Sequence, residues 1–146
     1  MGHVAFTTLI EAPVERVFEL WTDASRYPEW FPHCRRISNV SQPLDQPGAR
    51  YTLHLDGPIR ANCQVTRVEP NRLHEHIFRQ TLPPSSGYGK AVFESKPEGT
   101  SFSWDAAYDL AGGAVGRFLD RLVFARAAEP RMAQEVANFK RLVEQS

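Results

Sequence analysis

The middle of the chain, residues 37–110, consists of short runs in which apolar and polar residues alternate, and turn signals separate these runs. A period of two is typical of β-strands that have one buried and one exposed face. Because the connections between the runs are short, successive strands are expected to pair with each other in antiparallel order. The predicted strands are residues 37–40, 49–55, 59–68, 73–80, 89–95 and 101–110. This stretch limits the fold to one built around an antiparallel meander.

Two of these strands show which side chains face inward. Apolar or aromatic residues occupy every second position of both, so one face of each strand is expected to be buried. The predicted inward residues are Phe102, Trp104, Ala106, Tyr108 and Leu110 in the last strand, and Ile59, Ala61, Cys63 and Val65 in the strand at 59–68.

A strand and two short helical segments precede the meander. Residues 3–10 are rich in β-branched and aromatic residues, which favours a strand. Pro13 then suits the first turn of a helix, and Val17 and Trp21 recur on one face of it until about Asp23. Residues 25–34 are rich in aromatics but interrupted by prolines, which predicts a single helical turn that closes one end of the core.

The period changes to that of a helix after the glycine pair at 112–113. The apolar residues of this part are Val115, Phe118, Leu119, Leu122, Val123, Met132, Val136, Phe139 and Val143. Their spacing predicts one long C-terminal helix that covers the sheet. Pro130 falls inside it, which predicts a kink or a break between residues 127 and 131.

This order of elements resembles the START-like (SRPBCC) superfamily, in its polyketide cyclase/dehydrase and lipid-transport branch. The residues that carry the resemblance are Ala12-Pro13, Val17-Phe18, Trp21, Asp23, Tyr27-Pro28, Trp30, Glu69-Pro70 and the run Pro97-Glu98-Gly99-Thr100. The resemblance covers nearly the whole chain and implies an α+β helix-grip fold in a single domain, residues 1–146. In that fold a seven-stranded curved antiparallel sheet wraps around a long C-terminal helix, with two short helices after the first strand.

The same resemblance implies an internal cavity between the sheet and the last helix, which holds a lipid, a polyketide or another small hydrophobic molecule. It does not imply a reaction, because members of the superfamily include cyclases, lipid carriers and cofactor-escort proteins. The resemblance implies no cofactor.

Composition excludes several other classes of protein. The chain has 146 residues with 17 basic and 17 acidic side chains, so it lacks the positive field that binds nucleic acid. No apolar run is long enough to form an integral membrane segment, and the first residues do not resemble a secretory signal. A cytoplasmic location is therefore expected, with Cys34 and Cys63 kept as thiols.

The candidate ligand-binding residues are side chains with a polar tip on the predicted inner faces and apolar residues of the last helix. They are Tyr51, Cys63, Tyr88, Trp104 and Tyr108, with Phe118, Leu122, Met132 and Val136 as the apolar floor. For the aliphatic residues, simple core filling is the favoured alternative. For Trp104 and Tyr108 the two interpretations weigh equally, because a buried indole or hydroxyl needs a partner.

His74 and His76 alternate along one strand and so point to the same side. If Leu73 and Ile77 face inward, both histidines are solvated; if Phe78 faces inward, both enter the cavity. No HExxH or carboxylate cluster accompanies them, so no metal site is expected. The loop at 83–89 is interpreted either as a mobile flap with Tyr88 at the cavity entrance or as an ordinary surface loop.

Three functions follow as hypotheses. The first is binding of a small hydrophobic molecule without covalent chemistry. The second is a cyclase- or dehydratase-like enzyme in which Tyr108, His74 or His76 transfers protons. The third is a module that docks a partner or delivers a lipid, which exposed apolar surface at residues 27–31 would favour; a homodimer could use the same surface.

Overall fold

A computed structural model of the chain describes residues 2–82, 84–110, 113 and 125–146. It confirms the α+β fold with a seven-stranded curved antiparallel sheet, two short helices after the first strand and a C-terminal helix. The strands are β1 (Gly2–Ile10), β2 (Arg36–Ser38), β3 (Arg50–His54), β4 (Arg60–Glu69), β5 (Leu73–Gln80), β6 (Ser85–Lys96) and β7 (Gly99–Leu110). The α-helices are α1 (Val14–Trp21), α2 (Tyr27–Trp30) and α3 (Ala125–Glu144), and a 3-10 helix spans Ala24–Arg26.

The sheet follows the chain as a meander, except at one edge. Its order is β1-β7-β6-β5-β4-β3-β2, so β1 pairs with the last strand instead of the second. All neighbouring strands are antiparallel, and a bulge between Val65 and Arg67 interrupts the register of β4 against β5. Such a bulge bends its strand and increases the local twist. The bent sheet leaves one concave face, which α3 and the short helices cover.

The region interpreted as a mobile flap is mostly strand. β6 begins at Ser85 and pairs with β5 on one side and β7 on the other, so Tyr88 lies within the sheet. Pairing on both sides satisfies the backbone and outweighs the weak strand propensity of serine and glycine. Gly87 also fits this position for a steric reason, since a Cβ there would lie 1.9 Å from the carbonyl oxygen of Ala107.

The first helices form as the sequence predicts. Pro13 precedes α1, whose Val17, Phe18, Leu20 and Trp21 are buried. The carboxylate of Asp23 then accepts a hydrogen bond from the backbone N–H of Ser25 and begins the 3-10 helix. Together with α2, this segment closes one end of the core.

The C-terminal helix α3 is continuous through Pro130, so the predicted break does not occur. Proline removes only its own N–H from the helix ladder, and residues 131–144 continue the helix where it packs against α2 and β1. Val136, Phe139 and Val143 are buried on its inner face. Among the described residues, no helix has the length and apolar content needed to cross a membrane.

Candidate functional site

A cavity of about 60 Å³ lies between the concave face of the sheet, the aromatic segment around α2, and α3. Its lining residues are Trp21, Tyr27, Trp30 and Phe31 from the short helices, Tyr51 and Leu53 from β3, His76 from β5, Trp104 from β7, and Glu135 and Val136 from α3. Six of these ten residues carry phenyl, phenol or indole rings. The cavity is therefore an aromatic enclosure with few polar groups.

All three tryptophans of the chain line this cavity. Trp21 is central: its ring stacks on Trp30 with centroids 5.0 Å apart and lies 4.9 Å from the ring of Trp104. The indole nitrogens of Trp21 and Trp30 are buried, and no described residue accepts a hydrogen bond from them. These two side chains therefore offer ring surface to the cavity, and not a donor.

The sheet wall is formed by a stacked pair, His76 and Trp104, whose ring centroids are 5.7 Å apart with an interplanar angle of 21°. Gly89 of β6 lies beside both rings. A Cβ at this position would be 2.4 Å from Trp104 Cη2 and 2.6 Å from His76 Cε1. The absence of a side chain at Gly89 thus makes room for the stacked pair.

His74 and His76 both point to the concave side, since Phe78 packs against the core and Ile77 is 48% exposed. His74 is fully buried, and its Nε2–H donates to the carbonyl oxygen of Leu44 at 2.8 Å. It therefore ties the segment before β3 to β5. Burial lowers the pKa of His74, and burial together with the neighbouring His74 lowers the pKa of His76 to about 3. Both imidazoles are neutral near pH 7.

Tyr27, Tyr51 and Cys63 form a buried polar group beside the cavity. Tyr51 lies opposite Cys63 in the β3–β4 pair, and its ring is 6.3 Å from that of Tyr27 in an edge-to-face arrangement. Burial is the main cause that raises the pKa values of both tyrosines above their ordinary range. Burial also raises the pKa of Cys63 to about 12, so its thiol stays protonated and is a poor nucleophile.

Glu135 is the acidic residue of the cavity wall. It is 8% exposed, and no described residue forms a hydrogen bond with its carboxyl group. Burial raises its pKa to about 7, although Arg131 one turn earlier acts in the opposite direction. Near neutral pH the cavity therefore contains a carboxyl group that is about half protonated.

The sequence of residues 1–144 matches the family model described as polyketide cyclase/dehydrase and lipid transport. The chain belongs to this polyketide cyclase/dehydrase and lipid transport family. Its helix-grip sheet and covering helix agree with that membership. A comparison with curated proteins gives no match.

Solved structures with the same fold include three that match nearly all of this chain. A protein from Mesorhizobium loti is 17% identical with a TM-score of 0.75, covering 99% of this chain and 98% of the other. A conserved protein from Geobacillus kaustophilus is 14% identical with a TM-score of 0.79, covering 100% and 97%. DynU16, from the dynemicin biosynthetic locus, is 19% identical with a TM-score of 0.71; the match covers 99% of this chain and 48% of DynU16.

The predicted ligand residues of this family member lie in different places. Tyr51, Trp104 and Val136 line the cavity, and Cys63 is buried next to Tyr51. Tyr88 is 43% exposed, and neither it nor the partly exposed Tyr108 and Met132 is among the lining residues. Phe118 and Leu122 lie outside the described residues. The ligand-binding role of all nine residues stays a prediction.

Sequence reasoning missed Glu135 as a wall residue, although a signal was present. Glu135 follows Met132 by three positions and precedes Phe139 by four, which places it on the apolar face of α3. Trp21, Tyr27, Trp30 and Phe31 were predicted as core, and the structure shows that they also form the cavity wall. In the described part of the chain, no three His, Cys, Asp or Glu side chains come together as a metal site would require.

The shifted pKa values predict how stability depends on pH. Below the ordinary histidine pKa of 6.5, the unfolded chain takes up a proton at His76 that the folded protein does not, because burial lowers the pKa of His76 to about 3. The lowered pKa of His74 acts in the same direction. Glu135 opposes this loss of stability between its raised pKa of about 7 and its ordinary pKa of 4.5, because in this range the folded protein binds a proton at Glu135 that the unfolded chain does not. The free energy of unfolding is expected to fall by up to about 1.4 kcal/mol per pH unit between pH 6.5 and 4.5.

Urea unfolding at pH 6.5, 5.5 and 4.5 measures this dependence. Glu135→Gln removes the opposing contribution, so its stability is expected to fall more steeply than that of the wild type, by up to about 1.4 kcal/mol more per pH unit. A flat profile for Glu135→Gln would show that the histidines titrate normally in the folded state.

Proposed function

We propose that the protein binds a small hydrophobic molecule, of lipid, polyketide or quinone-like character, in the cavity between the sheet and α3. The observation that carries this proposal is the aromatic wall: six rings together with Leu53 and Val136 enclose the space. Apolar pockets with a few polar groups are the usual form of small-molecule sites. Membership of a family described by polyketide cyclisation, dehydration and lipid transport supports the same conclusion.

The size of the cavity limits what enters it without rearrangement. Its volume is about 60 Å³, whereas pockets for drug-sized ligands have about 300–1,000 Å³. A single ring or the end of a chain is the part of a ligand that suits this space. A larger molecule would have to displace the aromatic side chains or α3.

Intrinsic fluorescence provides a direct test, because all three tryptophans line the cavity. We expect 2-naphthol, menadione or decanol, representing a flat ring, a quinone and an acyl chain, to change the tryptophan emission saturably. Native mass spectrometry of the purified protein, followed by solvent extraction, would identify any co-purified molecule. If none of the probes binds and nothing is extracted, the proposal is wrong.

A matched pair of variants locates the binding. Val136→Phe places a larger side chain at the cavity wall and is expected to weaken binding of any bound probe about tenfold or more, a loss of about 1.4 kcal/mol or more. Ala133→Phe adds the same ring to an exposed position of the same helix and should leave binding unchanged. Circular dichroism checks that both variants fold. Equal effects of the two substitutions would place the ligand elsewhere.

A second candidate is a cyclase- or dehydratase-like enzyme. His76 and Glu135 both line the cavity, and burial keeps one neutral while placing the pKa of the other near 7. A general acid or base works best when its pKa lies near the operating pH. Of the proton carriers predicted from the sequence, His76 is the one with this position, because His74 is bonded to Leu44 and Tyr108 does not line the cavity.

Turnover of a cavity ligand would distinguish an enzyme from a carrier. If the protein is an enzyme, we expect it to convert the extracted molecule, or a probe that changes the tryptophan emission, into a product. His76→Phe or Glu135→Gln should then reduce the rate of this reaction by about 100-fold or more. If the molecule binds and neither the wild type nor the variants form a product, the carrier function remains.

The docking hypothesis has less support. Exposed apolar surface at residues 27–31 would favour it, but Tyr27 and Trp30 are 5% and 4% exposed. A homodimer through that segment has the same difficulty. A cytoplasmic location is also a proposal, and two buried, unpaired cysteines are the observation that supports it.

A further inference from the structure

The charges of the described part of the cavity wall are not balanced. Glu135 is an acidic residue among the ten described lining residues, which include no lysine or arginine. Arg131, on the same helix, is exposed and favours the charged form of Glu135 only by Coulombic attraction. A buried carboxylate is stable only when a positive charge or hydrogen-bond donors compensate it. Among the described residues, no ion pair and no hydrogen bond joins Glu135 to another side chain, and burial still raises its pKa to about 7.

The rings around Glu135 favour a cation over an anion. An aromatic ring has a negative face, so a cation held among several rings is attracted to them, most strongly by tryptophan. Three tryptophans and two tyrosines belong to this wall, and His76 adds no positive charge because its pKa is about 3. The enclosure thus combines an aromatic cage with an acid that pairs with none of the described side chains.

We propose that the cavity selects ligands that carry a protonated amine, whose ammonium group pairs with the Glu135 carboxylate while the aromatic rings pack around its apolar part. This inference rests on the proposed ligand-binding function and names the class of ligand. On binding, a protonated Glu135 gives its proton to solvent, and the resulting carboxylate pairs with the ammonium. No covalent bond forms or breaks in the ligand.

A pair of nearly isosteric probes isolates the charge. Protonated 2-phenylethylamine carries an ammonium group at the position where propylbenzene has its terminal methyl group. 2-Phenylethanol carries a neutral hydroxyl group at the same position. We expect the amine to bind wild-type protein at least tenfold more tightly than propylbenzene at pH 8, measured by tryptophan fluorescence. Preference for 2-phenylethanol instead would mean that Glu135 acts as a protonated donor, which overturns the proposal.

The pH range from 6 to 8 separates Glu135 from the other ionisable groups near it. His76 stays neutral because burial lowers its pKa to about 3, the lowered pKa of His74 favours its neutral form, and Tyr27 and Tyr51 stay protonated because their pKa values are raised. The affinity for the amine should therefore fall as the pH is lowered from 8 to 6, whereas that for propylbenzene should not change. Calorimetry in buffers of different ionisation enthalpy should show release of about half a proton per amine bound at pH 7.

Variants of α3 complete the test. Glu135→Gln should abolish the preference for the amine and the proton release, Glu135→Asp should retain part of both, and Glu129→Gln, which removes an exposed carboxylate of the same helix, should change neither. If amine and propylbenzene bind equally well to wild type and Glu135→Gln, the inference fails while the ligand-binding function stands. If no probe binds to any of these folded proteins, both fail.

Discussion

Replacement of Trp21 by alanine is expected to lower the free energy of unfolding by about 3–5 kcal/mol, as large-to-small changes of buried aromatic residues do. Trp21 is 4% exposed and its ring lies within 5.2 Å, centroid to centroid, of Trp30, Phe102, Trp104 and Phe139. These contacts join α1, α2, β7 and α3, so no single element can move to fill the space. Chemical denaturation followed by circular dichroism measures the change.

Tyr88→Ala is the matched control, because Tyr88 is an aromatic residue of the sheet that is 43% exposed. Its effect should stay within about 1 kcal/mol, as expected for an exposed residue. If Trp21→Ala shifts the denaturation midpoint no more than Tyr88→Ala does, Trp21 is not the anchor of the core.

Gly89→Ala is expected to have the second largest effect, a loss of about 1–3 kcal/mol from overpacking. The added methyl group meets Trp104 and His76, and both rings must move. Because the two rings form the sheet wall of the cavity, the substitution should also shift the tryptophan emission and weaken ligand binding. Thermal unfolding and fluorescence of the same samples measure the two effects together.

A double-mutant cycle tests the cause. In a Trp104→Leu background the ring nearest to the new methyl group is absent, so Gly89→Ala should cost less than in the wild type. Equal costs in both backgrounds would mean that the penalty comes from the backbone of β6 and not from the stacked pair.

The sheet could be predicted from sequence because its signals are local. Alternation and turn residues located six strands, and the β-branched and aromatic residues at 3–10 located the first. The first helices follow from Pro13, the spacing of Val17 and Trp21, and the prolines at 28 and 32. The start of β6 was missed, because Ser85 and Gly87 have weak strand propensity and only pairing with two neighbours makes them strand. Pairing of this kind depends on residues that are distant in the sequence, so the local sequence does not predict it.

The site could be predicted only in part. Alternation along β5 puts His74 and His76 on one side, but it does not say which face of the sheet is covered. The folded structure answers that question, because Ile77 is exposed and Phe78 packs against the core. Glu135 lay on the apolar face of α3, where a single acidic residue is easily taken as the edge of the stripe. Whether Glu135 is buried depends on how closely α3 lies against the sheet, which the sequence of the helix does not show.

The pairing of β1 with β7 has a consequence for the folding reaction. It joins residues far apart in sequence, such as Thr7 and Ser103, while every other strand pairs with its neighbour in the chain. Contacts of high sequence separation carry a large loop-closure entropy and slow the folding of a chain. We expect closure of this edge to follow formation of the meander. Since β7 carries Trp104, the cavity wall is complete only once that strand is held between its two neighbours, and a cavity ligand should then slow unfolding more than it speeds folding.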